Sequence, residues 1–280
     1  MQVLKSSVAF ALLHLLTACG GSTGFEPVIT GVKVQSIKYG QTATLNLGGK
    51  DLRSSIVADT SGACTNPSYA SSSTTDMLVL NCSVVQVGDF NFSVKSAEGT
   101  VLYSSVINVP KPEVLLLTSL GNVTLELEPG IAPLSLNNFL SYVNKAYYSN
   151  TLFHRVIPGF VVQGGGYTTG LVKKTGQLSP IVLESNKGLL NVRGTLAMAR
   201  TNVFNSATSE FFVNLVDNTF LDYRNAANPG YAVFGRVLQG MDVVDLIATK
   251  PTGVLNGFSD VPLEEVLVNL AVQVKLYAHD

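Results

Sequence analysis

Four stretches in the first third of the chain alternate apolar and polar residues with a period of two. They are VKVQSIKYGQTATLNL (32–47), MLVLNCSVV (77–85), FNFSVKS (90–96) and TVLYSSVINV (100–109). That period turns successive side chains to opposite faces of an extended strand. Gly-Gly, Asn-Pro, Gly-Asp and Glu-Gly dipeptides punctuate the stretches where turns belong. About seven strands in about 80 residues predict a β-sandwich over residues 28–109. Ser71–Thr75 reads as an exposed loop, a spacer rather than a binding surface. In VPKPEV (109–114) two prolines one residue apart predict a semi-rigid connector.

Beyond the connector the pattern changes. VLLLTSL and VTLELEPG flank Gly121-Asn122 as a hairpin. Leu136, Phe139, Leu140 and Val143 follow Pro133 at i, i+3, i+4 and i+7, the spacing of a helix with one apolar face. A second short helix is predicted at 240–249. Val266, Val268, Leu270, Val272, Val274 and Leu276 then keep strict period two. Many antiparallel strands with few helices predict a mainly β protein whose residues 110–280 close into a barrel.

Composition sets the compartment and removes several functions. The chain is 46% hydrophobic and 13% charged, with 18 basic against 19 acidic residues. Nucleic-acid binding needs a basic excess that is absent. Residues 1–18 carry an early lysine and the apolar run Val8–Leu16, too short to span a bilayer and suited to a cleavable export signal. Leu16-Thr17-Ala18-Cys19 resembles the lipobox of bacterial lipoproteins. That resemblance implies lipidation of Cys19, a tether over residues 19–27 and membrane attachment through the lipid. Gly20, in place of aspartate, implies the outer membrane of a bacterial envelope, facing the periplasm. Two cysteines remain, Cys64 and Cys82, and an even remainder in an exported chain points to a disulfide. A metal site is the alternative, but it lacks partners: the histidines are His14, His154 and His279.

The chemistry narrows by elimination. His154 is the one histidine available as a base, and alternation in LFHRVI turns it away from Arg155, so no Ser-His-Asp triad assembles. His154 reads as structural. QGGGYTTG (163–170) lacks the spacing of a phosphate loop, and its glycines read as a bulge or a close backbone approach. No paired carboxylates or metal-ligand spacings stand out, so no cofactor and no metal are expected. What remains is Arg155, a cation in the apolar stretch FHRVIPGFVVQGGG (153–166).

That stretch, with GTLAMAR (194–200), SATSEFFVNLVDNTFLD (206–222) and YAVFGRVLQGMDVVD (231–245), resembles the cyclophilins, which are peptidyl-prolyl cis/trans isomerases. The resemblance covers residues 112–280, with MART and VDNTFL similar to the bacterial branch. It implies an eight-stranded antiparallel barrel capped by two helices, acting on proline-containing unfolded or exported polypeptides. It implies Arg155 as the catalytic residue and Phe160, Met198, Phe212 and Leu221 as an apolar pocket for the proline ring. Gln163 would contact the substrate backbone and steady the arginine, while Ala199 and Arg200 would bind the residue before proline. Glu210 stands where the family has glutamine, and its anionic group is expected beside Arg155, orienting or neutralising it. Phe220 replaces a tryptophan and Tyr231 a histidine of animal members, which implies weak cyclosporin binding. The N-terminal sandwich loosely resembles bacterial Ig-like modules. Two other readings stand beside the isomerase: a cyclophilin-shaped binding or chaperone module with little turnover, and an envelope adhesion or assembly lipoprotein.

Overall fold

The computed structural model describes residues 26–52 and 56–274. Residues 1–18, where an export signal is expected, and Cys19, Leu276 and His279 lie outside the described residues. Among the described residues no helix is long and apolar enough to cross a membrane.

The first seven strands are β1 (Val28–Ser36), β2 (Thr42–Lys50), β3 (Val57–Asp59), β4 (Cys64–Tyr69), β5 (Met77–Val84), β6 (Gly88–Lys95) and β7 (Val101–Val109). They form two antiparallel sheets, ordered β1-β2-β5-β4 and β3-β6-β7. Alternation explains why they pack. In β2, Ala43, Leu45 and Leu47 are buried while Thr44 and Asn46 are not. These residues, with Leu80 and Val84, share one core with Phe92, Val94 and Ile107 of the other sheet. Cys64 and Cys82 are bonded, with their Cα atoms 5.4 Å apart, and tie edge strand β4 to β5. Ser71–Thr75 is exposed except for the half-buried Ser73.

The remaining chain forms β8 (Glu113–Thr118), β9 (Gly121–Leu127), helix α1 (Pro133–Asn144), β10 (Thr151–Leu152), β11 (Arg155–Ile157) and β12 (Val161–Gly164). A small hairpin of β13 (Tyr167–Thr168) and β14 (Val172–Lys173) follows, then β15 (Thr195–Met198), β16 (Phe211–Asn214), β17 (Val233–Gln239) and helix α2 (Met241–Ala248). A second hairpin, β18 (Thr252–Leu255) and β19 (Phe258–Pro262), precedes β20 (Leu267–Gln273). Nine strands join in the order β10-β20-β8-β9-β17-β15-β16-β12-β11. The two edges of this sheet are consecutive in the chain, separated by Phe153 and His154 alone. The sheet therefore curls until its ends nearly meet, and α1 packs Leu136, Phe139, Leu140 and Val143 into its interior.

Two local expectations are corrected. The first hairpin turns at Ser119-Leu120, because Thr118 pairs with Gly121 across the ladder. Thr118 Oγ1 donates to the Gly121 carbonyl and accepts from Leu120 N–H, which closes the turn two residues early. The strict alternation of the last strand also breaks. A bulge between Val268 and Leu270 shifts the register, so Ala271 and Gln273 are buried while Leu270 and Val272 are exposed.

The two groups of strands also dock through the β1–β2 turn. Tyr39 is buried in the core of the curled sheet, and Val87 packs against both cores. Lys38 Nζ donates to the Gln273 carbonyl at 2.7 Å, and Gln41 Nε2 to Asn144 Oδ1 and Gln273 Oε1, each at 2.9 Å. Gln273 Nε2 returns a bond to the Tyr39 carbonyl at 2.8 Å.

Candidate active site

One transverse row of residues builds the site. Across adjacent strands Arg155 pairs with Gln163, Gln163 with Phe212, Phe212 with Ala197, and Ala197 with Val233. Residues paired in this way share a face of the sheet. The row thus presents a cation, an amide and an apolar floor side by side. A cavity of about 330 Å³ opens above it, lined by Arg155, Phe160, Val161, Gln163, Ala199, Arg200, Phe212, Leu221 and Tyr231. Phe212 and Tyr231 meet edge to face at 5.5 Å.

Arg155 is held loosely. Its Nη1 donates to Gln163 Oε1 at 3.4 Å, its Nε lies 3.7 Å from Asp260 Oδ2, and its Nη2 has no partner among the described residues. With a side chain 39% exposed, the guanidinium keeps donors free at the cavity mouth. Gln163 in turn donates through Nε2 to Glu210 Oε2 at 2.9 Å. His154, buried and facing away from Arg155, places Nε2 at 3.3 Å from the same oxygen. Burial alone would raise the Glu210 carboxyl, but the hydrogen bond and charge of His154, with the Gln163 bond, outweigh it and hold it below the ordinary glutamate value.

The glycines of QGGG make this arrangement possible. Gly165 adopts φ 90°, and a Cβ on it would stand 2.8 Å from the Ser209 carbonyl. A Cβ on Gly166 would stand 2.6 Å from Glu210 Oε1, so glycine leaves the space the carboxylate occupies.

Three site expectations change. Met198 does not line the cavity: it is 1% exposed and sits in the interior core beneath the sheet. Neighbouring residues of a strand face opposite ways, so Met198 and Ala199 cannot both reach one pocket. Glu210 is not paired with Arg155, since its carboxylate contacts His154 and Gln163 and reaches the arginine through the glutamine. Phe220 does not line the cavity either; it stacks on Phe160 at 5.7 Å and stands at an adjoining hollow. Sequence reasoning missed two residues. Val161 could have been found, because it lies two positions from Gln163 and so shares its face. Asp260, far along the chain on β19, carried no local signal.

The geometry defines a class of protein: a curled antiparallel sheet that sets an arginine and an amide beside a small cavity floored by Phe212. Residues 114–272 match the family described as "Cyclophilin type peptidyl-prolyl cis-trans isomerase/CLD". The chain is 49% identical over 158 residues to the peptidyl-prolyl cis-trans isomerase of Acinetobacter baylyi, covering 56% of this chain and 82% of that one. It is 46% identical over 162 residues to peptidyl-prolyl cis-trans isomerase A of Dickeya dadantii, covering 58% and 84%. A solved cyclophilin type isomerase from Cryptosporidium parvum is similar with a TM-score of 0.49 and 24% identity, over 60% of this chain and 99% of that one. The chain belongs to the cyclophilin-type peptidyl-prolyl cis-trans isomerase family.

Proposed function

We propose that residues 110–280 catalyse cis/trans rotation about the bond preceding proline in exported polypeptides, with Arg155 as the catalytic residue. The observation that carries this is the free Arg155 donor at the mouth of a cavity walled by Phe160, Val161, Phe212 and Leu221. Amide resonance gives the bond a barrier of about 18–20 kcal/mol. Twisting the bond returns the lone pair to the proline nitrogen, which becomes an acceptor it was not when planar. A guanidinium placed there binds the twisted state better than either planar state, and that difference is the catalysis. The apolar walls hold the ring while the acyl side turns, and no covalent bond breaks. Arg155→Ala lowers kcat/KM at least about 100-fold, since a preorganised donor is worth about 3 kcal/mol. NMR exchange measurements on a proline peptide check this, with circular dichroism confirming the fold; unchanged turnover in a folded mutant removes Arg155 from the mechanism and favours the binding-module reading.

Finer readings have their own support. Counting Thr151–Ile157 as one interrupted strand leaves eight strands in a ladder that returns on itself, consistent with a closed barrel. The strand order of the N-terminal sheets is that of a seven-stranded Ig-like sandwich, four strands facing three. Pro110-Lys111-Pro112, between β7 and β8, is the proposed domain boundary. Phe220 offers no indole N–H, in keeping with weak cyclosporin binding. A Cys64–Cys82 bridge suits an oxidising compartment, consistent with a periplasm-facing lipoprotein of the outer membrane anchored at Cys19. Cys19→Ser abolishes lipid labelling and moves the protein to the soluble fraction; continued sedimentation with membranes overturns the anchor.

A further inference from the structure

Beside the proline cavity lies a second hollow of about 280 Å³. Arg200 and Tyr231 line both, so the two form one groove with a guanidinium at the joint. Arg200 is fixed there without being neutralised. Its Nε donates to the Gly230 carbonyl at 3.0 Å and its Nη1 to the Thr201 carbonyl at 2.9 Å. Its guanidinium carbon lies 4.6 Å from the centre of the Tyr231 ring and 5.5 Å from that of Phe204. Stacking and neutral carbonyls set its direction, and Nη2 has no partner among the described residues.

The second hollow adds Arg224, and among the described residues neither Arg200 nor Arg224 has a carboxylate oxygen within 4.0 Å. Asp222 also lines it, with Oδ1 accepting from Asn191 N at 2.6 Å and Asn191 Nδ2 at 3.0 Å, so the two guanidiniums outnumber one carboxylate whose Oδ1 is turned to Asn191. Among the described residues the proline cavity is lined by Arg155 and Arg200 and by no acid. A chain of net charge −1 thus gathers three arginines along one groove.

We infer that the second hollow is a subsite for an acidic side chain, Asp or Glu, flanking the proline of the substrate; the inference rests on the proline-binding reading of the first cavity. A carboxylate gains a charge-assisted hydrogen bond from a guanidinium already ordered by its stack, so little conformational entropy is lost on binding. A lysine in the same place meets two like charges. The proline docked next door delivers the side chain at high effective concentration, which a free anion lacks.

The test uses two sets of proline peptides, with Glu, Gln or Lys on the N-terminal side of the X-Pro pair in one set and on its C-terminal side in the other. NMR exchange on the full chain avoids any coupled protease. In one set kcat/KM falls from Glu through Gln to Lys, with Glu and Lys separated on the order of 3- to 10-fold. The gap shrinks in about 0.5 M salt, where the Debye length falls to a few ångströms. Arg200→Gln collapses the gap, and the milder surface change Arg224→Gln narrows it. Equal kcat/KM for Glu and Lys peptides in both sets overturns the subsite. Absence of turnover on every peptide overturns the isomerase reading instead. Kd values for the same peptides then decide the subsite: tighter Glu binding supports it and equal binding overturns it.

Discussion

Glu210 acts on Arg155 through one intermediary, and this sets what its loss does. Its carboxylate takes the Gln163 amide N–H, which turns the Gln163 carbonyl oxygen toward Arg155. Removing the acceptor frees the amide to rotate, so Glu210→Ala lowers kcat/KM by about 3- to 10-fold, the worth of one hydrogen bond. Glu210→Gln keeps an acceptor and recovers most of that loss, a rescue that a purely structural role does not produce; an increase above wild type shows instead that the charge competes with substrate. The pH dependence has a defined sign. The folded carboxyl lies below its ordinary value of 4.5, so its stabilisation is present above that pH and lost as pH falls through the folded value. Urea midpoints of wild type and Glu210→Gln therefore converge below about pH 4.5. Much of the cavity lining was legible residue by residue. Arg155, Phe160, Gln163 and Phe212 sit in motifs whose order fixes their neighbours. The direction Glu210 faces was not legible, because it depends on the space left by Gly166 and on the buried His154. Met198 was misjudged although the alternation in its own strand argued against it.

At the scale of elements, α1 shows what a local pattern leaves out. Its apolar stripe and Pro133 predicted the helix, but Ala132 at the N-terminus has no side chain to cap it. The cap comes from Glu184, whose carboxylate accepts from Leu134 N, Ser135 N and Ser135 Oγ at 3.1, 2.8 and 3.0 Å. Its charge also favours the positive end of the helix. Glu184→Ala leaves the Ser135 donors buried without a partner and costs about 1–3 kcal/mol, read as a lower urea midpoint. An unchanged midpoint shows that water satisfies the helix end. No local signal links Glu184 to this helix, since capping rules look one turn away and the partner stands on a distant loop. The bulge in β20 is the other case: Val266–Val274 alternates cleanly in sequence, yet pairing with β8 forces a slip that trades Leu270 for Ala271 inside.

At the scale of the molecule, the two strand groups were legible from the change of pattern at VPKPEV, but their docking was not. Tyr39 lies in a turn of the first group and is buried in the core of the second. Tyr39→Ala therefore removes core volume from a strand group it does not belong to, at a cost of about 3 kcal/mol. Isomerase activity is lost at a lower temperature in the mutant; an unchanged midpoint shows that the turn does not dock in solution. The ends of the curled sheet carry a further consequence. Unfolded clients seek exposed ladders of backbone N–H and C=O groups, and a long open edge invites them to join as an extra strand. Here the edges are β10 and β11, two and three residues long. On the curled sheet a bound peptide would find no rail along which to zip up, so its hold there would reduce to side chains in the groove.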